Sequence, residues 1–169
     1  HYEFTLDEEF MAEKIYPMMR EESVLYDQML IEDKDGYLVS SPSYSPEHGP
    51  RTEGNTYEQA LIWQLYEDTI KAAEILGKDA DKVAEWKENQ ANLKGPIEIG
   101  TDGQIKEWYH ETTLDSVQPN QYGHRHISHM LGLFPGDLIS VETPEWFEAA
   151  RVSMENRTEF YLFCAKRFV

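Results

Sequence analysis

Residues 56–76 have the sequence TYEQALIWQLYEDTIKAAEIL, which is the clearest helical pattern in the chain. Asn55 or Thr56 can cap its start, Gln59 completes a capping box, and Gly77 stands where a helix commonly ends. The apolar residues surround most of the helical cylinder instead of forming one stripe. A helix that is apolar all round is buried in the core of something larger. The stretch therefore predicts a long central helix in a mainly helical protein.

The chain on either side of this helix continues in helix-sized pieces. A capping-box pattern at Thr5 begins an apolar spacing that extends to Ile31, and Pro17 inside it predicts either a kink or two successive helices. Alternation around Asp102-Gly103 is the only β pattern, and it predicts a small hairpin. Further helices are predicted at 79–93, 124–134 and 143–156, with a long loop at 109–123. The predicted fold class is all-α with a small β-hairpin insertion.

The composition excludes several classes of function. The chain has 169 residues, with 15 Lys and Arg against 32 Asp and Glu, so its formal charge of −17 opposes binding to nucleic acid or to anionic lipid. No stretch approaches the roughly 20 apolar residues of a membrane-spanning helix. The single cysteine, Cys164, excludes an internal disulfide and a cysteine-rich zinc site. We therefore predict no nucleic-acid partner, no membrane association and no cofactor.

Three polar clusters carry residues suited to chemistry. The first is the loop Ser41–Gly49, whose two prolines push Ser41 and Ser45 towards extended or turn conformations and hold Glu47 on a stiff support. An ordinary surface connection is the alternative for this loop. The second cluster is Glu107-Trp108, at the end of the predicted hairpin. The third is GHRHISH at residues 123–129.

The third cluster permits more than one interpretation. Only His126 and His129 have the spacing that places two ligands on one helix face, which is too few for a metal, so no metal site is predicted. The planar guanidinium of Arg125 can instead hold vicinal hydroxyls or a carboxylate. A carboxylic acid, a tryptophan platform and an Arg-His pair together indicate a glycosidase half-site. The alternatives are a non-catalytic helical fragment that binds glycan weakly and a helical interaction domain.

Three segments carry a family resemblance. SPSYSPE at 41–47, IGTDGQIKEW at 99–108 and HRHISHMLGLFPG at 124–136 resemble, in order and spacing, successive motifs of glycoside hydrolase family 95. The resemblance covers roughly residues 5–157. It implies an inverting α-L-fucosidase, with α-L-galactosides preferred by some members, and part of an (α/α)6 barrel. The implied partner is a fucosylated oligosaccharide or glycan, and an extracellular or periplasmic location is favoured.

The resemblance also implies roles for individual residues. Glu47 takes the position of the general acid, and Arg125 with His126 takes the position of contacts to sugar hydroxyls. Glu107 and Trp108 are expected to line the sugar subsite. A general acid must be protonated at the working pH, so we expect burial or nearby negative charge to raise the pKa of Glu47.

The sequence departs from the family pattern in two places. In the family, asparagines upstream of the acid and an aspartate downstream assemble and orient the base, and neither part is found in these residues. After Arg157, residues 158–169 differ from the family's Gly-rich stretch. We therefore expect a partial catalytic domain at 1–157, a divergent tail at 158–169 and a fragment of a bacterial enzyme. The isolated chain is expected to be inactive and to self-associate through exposed helix flanks.

Overall fold

A computed structural model describes residues 1–47, 49–109 and 124–166, with side chains described as far as Arg157. The chain divides into two compact units: residues 1–41 with 62–94, and residues 42–61 with 95 onward. Helices dominate the described chain, as predicted, whereas the six-fold barrel stays a prediction. None of the described helices is both long and apolar enough to cross a membrane. Most of the predicted loop at 109–123 lies outside the described residues.

The helices of the first unit follow the predicted pattern closely. Its helices are α1 (Tyr2–Thr5), α2 (Glu8–Phe10), α3 (Tyr16–Met29), residues 62–76 of α4 (Thr56–Leu76) and α5 (Ala80–Asn92), with a π-helical segment at Met11–Ile15. Helical backbone continues without a break from Glu8 to Met29, and the π-helical segment ends directly before Tyr16 and Pro17, so the chain does not divide there into two separate helices. Proline lacks the N–H of a regular helical hydrogen bond, and the helix accommodates it next to the wider π-helical turn, in which Tyr16 N–H donates to the Met11 carbonyl.

The core of the first unit packs around the C-terminal two-thirds of α4. Its buried members are Met11, Tyr16, Ile62, Tyr66, Ile70, Ala72, Ala73, Val83, Trp86 and Leu93. The carboxylate of Asp27 accepts hydrogen bonds from the Tyr66 hydroxyl at 3.0 Å, the Trp86 indole at 3.1 Å and the Asn89 amide at 3.0 Å. These bonds satisfy polar atoms that would otherwise be buried at a cost.

A short antiparallel hairpin follows α3 in the first unit. Strand β1 (Leu30–Glu32) pairs with β2 (Leu38–Ser40), so the prediction of helix as far as Ile31 is wrong at its end. The turn is fixed by Asp33, whose carboxylate accepts the backbone N–H groups of Asp35 at 2.9 Å and Tyr37 at 3.0 Å. Lys94 also donates to Asp33, and these hydrogen bonds outweigh burial and lower the pKa of Asp33 to about 2.

The second unit contains a second hairpin, one short helix and the last long helix. Strand β3 (Ser43–Tyr44) pairs with β4 (Arg51–Thr52), a 3-10 turn spans Ser128–Met130, and α6 spans Pro144–Lys166. The hairpin predicted around Asp102-Gly103 is reduced to one bridge between Ile99 and Ile105. The idea that this region holds the only β structure is therefore wrong.

The prediction of a helix at 124–134 is also wrong, because only Ser128–Met130 form a helical turn there. Hydrogen bonds from Gly136 N–H to the Leu131 carbonyl and from Ile139 N–H to the Gly132 carbonyl, both at 2.9 Å, fold the chain back before a helix can propagate. α6 begins at Pro144 as predicted but continues past 156 and through the predicted boundary at 157. The division into a domain at 1–157 and a tail at 158–169 stays a prediction.

Candidate active site

Glu47 lies in the turn of the hairpin formed by β3 and β4, here named the Glu47 hairpin (residues 43–52, of which His48 is not described). The pairs Ser43 with Thr52 and Tyr44 with Arg51 close its base. The strands of the hairpin both lie within the second unit.

Glu47 faces two basic side chains from a distant part of the sequence. The Arg125 guanidinium donates to its Oε2, and His126 Nε2 lies 3.2 Å from the same oxygen. The carboxylate remains 56% exposed and the Arg125 side chain 68% exposed. The structure thus brings Glu47, Arg125 and His126 together at an open surface of the second unit.

The surroundings of Glu47 favour its ionised form. Hydrogen bonding to His126 and the positive charge of Arg125 lower the pKa of Glu47, and its exposed position offers little opposition from burial. The prediction of a raised pKa is therefore wrong for Glu47 in this structure. A role as proton donor requires that something change this environment before reaction.

Glu107 lies in the interior of the second unit, with its side chain only 2% exposed. Its Oε1 accepts from the Ser45 hydroxyl and, at 3.4 Å, from the Ser128 hydroxyl. Its Oε2 accepts from Arg157 Nη2 at 3.2 Å, and His129 Nδ1 lies 3.8 Å from that oxygen. Burial raises the pKa of Glu107, although the Ser45 hydrogen bond and the Arg157 charge oppose the shift.

Trp108 lies against the backbone of the Glu47 hairpin. The indole is almost fully buried, and a Cβ atom added at Gly49 would collide with its ring. Gly49 also has φ +83°, a conformation that side chains disfavour. The backbone of Trp108 forms a bridge with Asn55, whose side-chain amide donates to Ser43 Oγ at 2.5 Å. Trp108 therefore supports the hairpin at its turn and at its base.

The predicted site residues thus fall into two layers. Glu47, Arg125 and His126 meet at the surface, whereas Glu107 and Trp108 lie buried against the Glu47 hairpin. Direct contact between a sugar and Glu107 or Trp108 stays a prediction. The sequence did not point to Ser45, Ser128 or Arg157, which bind Glu107. The two serines have proximity as their only sequence signal, since Ser45 precedes Glu47 by two residues and Ser128 follows His126 by two, and Arg157 has no such signal.

The histidines of this region face different carboxylates. His126 lies beside Glu47, whereas the buried His129 lies beside Glu107. Within residues 1–47, 49–109 and 124–157, no group of three or more His, Cys, Asp or Glu side chains is arranged to hold a metal ion. Although His126 and His129 are three residues apart in sequence, their side chains do not meet at a common metal site in this part of the chain.

Residues 1–164 match the family model of the glycosyl hydrolase family 95 catalytic domain. The chain belongs to this family. The match extends over both compact units and over all the predicted site residues. It agrees with the resemblance carried by the motifs at 41–47, 99–108 and 124–136.

Curated relatives of this family 95 chain come from a plant and from fungi. Alpha-L-fucosidase 2 of Arabidopsis thaliana is 35% identical over 170 residues, covering 94% of this chain and 20% of the relative. Probable alpha-fucosidase A of Aspergillus oryzae is 42% identical over 118 residues, covering 69% of this chain and 16% of the relative. Probable alpha-fucosidase A of Aspergillus niger is 34% identical over 148 residues, covering 83% of this chain and 18% of the relative. The chain thus spans a fifth or less of these relatives, and a bacterial origin stays a prediction.

Proposed function

We propose that this chain forms the acid-bearing part of a catalytic domain that hydrolyses α-L-fucosides with inversion. The observation that carries the proposal is that Arg125 and His126 both contact one carboxylate oxygen of Glu47, from a loop nearly 80 residues away in sequence. The family membership and the names of the relatives, which are α-fucosidases, support the same reaction class.

In this proposal Glu47 protonates the glycosidic oxygen as the bond to the sugar breaks. The oxocarbenium-like transition state leaves negative charge on the departing oxygen, and a carboxylic acid within hydrogen-bond distance neutralises it. Glu47 is suited to this because its carboxylate is exposed and held on a hairpin whose base is closed by backbone pairing.

Arg125 and His126 link sugar binding to the protonation of Glu47. Both donate toward Glu47 in the absence of sugar and thereby hold it ionised. A sugar whose hydroxyls take over these donors would remove that stabilisation and would also shield the carboxylate from water. Both changes raise the pKa of a carboxyl group. We therefore propose that the bound sugar itself converts Glu47 to the protonated form that the reaction needs.

An inverting reaction also needs a second group that activates water on the opposite face of the sugar, about 6.5–9.5 Å from the acid. We propose that residues outside these 169 supply this group, so that the isolated chain is inactive. Self-association of the isolated chain is proposed as well, because large apolar side chains are exposed in both units. They include Phe4, Leu6 and Met18 in the first unit and Phe134 and Val141 in the second.

The test is Glu47→Gln in the full-length protein that contains this chain, with 2′-fucosyllactose as substrate. Gln keeps the shape of the side chain but cannot donate the proton, so turnover should fall by at least about a hundredfold. Glu53→Gln is the matched control, because Glu53 is an exposed carboxylate next to the same hairpin. Unchanged turnover in the Glu47 variant, with the control also active, would contradict the proposal.

A second candidate applies to the chain by itself: weak glycan binding without hydrolysis. The exposure of Arg125 and His126 favours it, because a sugar can approach both side chains from solvent. Saturation-transfer NMR with 2′-fucosyllactose should detect binding that Arg125→Ala removes. Binding unaffected by that substitution would contradict this candidate.

A further inference from the structure

We propose that the buried Glu107–Arg157 ion pair is a positioning device that fixes the Glu47 hairpin relative to the segment carrying Arg125 and His126. This inference rests on the proposed function, because it assigns the pair a task in placing the acid. It gives Glu107 and Arg157 no contact with the sugar. Both lie in the interior of the second unit, with side chains 2% and 5% exposed.

The first connection runs from Glu107 to the Glu47 hairpin. The Ser45 hydroxyl donates to Glu107 Oε1, and Ser45 is itself fully buried two residues before Glu47. On the other side of Glu47, Gly49 lies directly against the indole of Trp108, the neighbour of Glu107 in sequence. The dipeptide Glu107-Trp108 thus contacts the hairpin on both sides of the acid.

The second connection runs to the segment His124–Ser128. Arg157 Nη1 donates to the His124 carbonyl at 3.2 Å, which holds the start of this segment. The Ser128 hydroxyl holds its end, 3.4 Å from Glu107 Oε1 and 2.9 Å from Ser45 Oγ. Arg125 and His126 lie between these two anchors. One ion pair therefore holds both loops that meet at Glu47.

The bond between the two charges is what makes this arrangement stiff. Arg157 Nη2 donates to Glu107 Oε2 at 3.2 Å, away from water that could compete for either group. Two buried charges that pair with each other hold one geometry, because separating them costs free energy that water cannot repay in the interior. Because α6 carries Arg157, the rigidity of a long helix is transmitted to both loops.

Displacing the acid has an effect that depends on the leaving group. A shift of about 1 Å in a catalytic group can cost about a hundredfold in rate. The cost is large when the departing oxygen is a sugar alkoxide, which needs a proton. It is small when the leaving group is an acidic phenol, which departs as an anion with little help. General damage to the fold would instead lower both rates alike.

The experiment measures kcat and KM for 2′-fucosyllactose and for dinitrophenyl α-L-fucoside in the full-length protein. Ser45→Ala removes the hydrogen bond between the hairpin and Glu107 and leaves the ion pair intact, whereas Glu107→Gln removes the negative charge of the pair. Glu148→Gln is the control, because it makes the same chemical change in an exposed ion pair with Arg151 on α6. Such a surface pair contributes little.

We expect kcat for 2′-fucosyllactose to fall about 10- to 100-fold in the Ser45 and Glu107 variants, with KM nearly unchanged and the aryl substrate affected less than about threefold. Equal losses on both substrates, or no loss on either, would overturn the inference. If Glu107→Gln does not fold, Ser45→Ala decides the question alone. Normal turnover in Glu47→Gln would refute the proposed function itself. Loss of turnover in Glu47→Gln, together with wild-type rates in the Ser45 and Glu107 variants, would refute only the positioning role.

Discussion

Substituting alanine for Gly49 tests whether Trp108 supports the Glu47 hairpin. Gly49 has φ +83°, and a Cβ atom there would collide with the Trp108 ring. Gly103, in the same unit, has φ +80° but meets nothing within 4 Å of its Cβ position. The two alanine variants therefore share the same backbone strain, and only the one at Gly49 also meets a neighbour.

The magnitude follows from these two geometries. Alanine at a positive φ costs about 1 kcal/mol, which both variants share. At Gly49 the new carbon lies roughly 1 Å or more inside carbon–carbon contact distance from the indole. Forcing such an overlap costs about 1–3 kcal/mol further if the hairpin stays in place. If the hairpin moves instead, a displacement of about 1 Å lowers turnover by up to about a hundredfold.

The assay compares Gly49→Ala with Gly103→Ala in the full-length protein, measuring the free energy of unfolding in urea and kcat for 2′-fucosyllactose. We expect Gly103→Ala to lose about 1 kcal/mol and to keep its activity. Gly49→Ala should show an additional loss in stability, in activity or in both. Equal stability and equal activity in the two variants would refute the contact between Trp108 and the hairpin.

Two predictions concern charged pairs. His126→Ala should raise the pKa of Glu47, because the hydrogen bond from His126 is the largest influence lowering it, and NMR titration of the carboxyl carbon in the 169-residue chain would detect the change; an unmoved pKa would contradict the pairing. Lys94→Met should lower the free energy of unfolding at neutral pH by roughly 2–4 kcal/mol, because it breaks a buried pair while two backbone N–H groups still bind Asp33. Because the pKa of Asp33 is lowered from 3.8 to about 2, the stabilisation is present above about pH 4 and is lost as the pH falls toward 2. A constant difference in stability between variant and wild type across that range would argue against the pair.

The long helices could be predicted from the sequence, whereas the short elements could not. Helix α4 runs from Thr56 to Leu76 as predicted, because capping residues and a long apolar run specify both its ends and its interior. Strand β1 follows α3 without a change in apolar pattern, and its three residues are too few for alternation to be visible. At 124–134, folding back at Gly132 and Gly136 prevails over local helix propensity.

The exposed residues of the candidate site could be predicted from the sequence because they lie in compact motifs. Glu47, Arg125 and His126 each occur in a polar segment of distinctive composition. The buried contacts of Glu107 could not be predicted, because Arg157 and Ser45 bind it across 50 and 62 residues of sequence. Such pairings depend on how the chain folds and leave no local pattern.

The anomeric configuration of the first fucose released from 2′-fucosyllactose by the full-length protein distinguishes inversion from retention, and proton NMR can follow it before the anomers equilibrate. Glu47 acting as a general acid in a single displacement by water predicts that β-L-fucose appears first. Early formation of α-L-fucose would rule out this mechanism, because retention requires a covalent intermediate and a different role for the carboxylates.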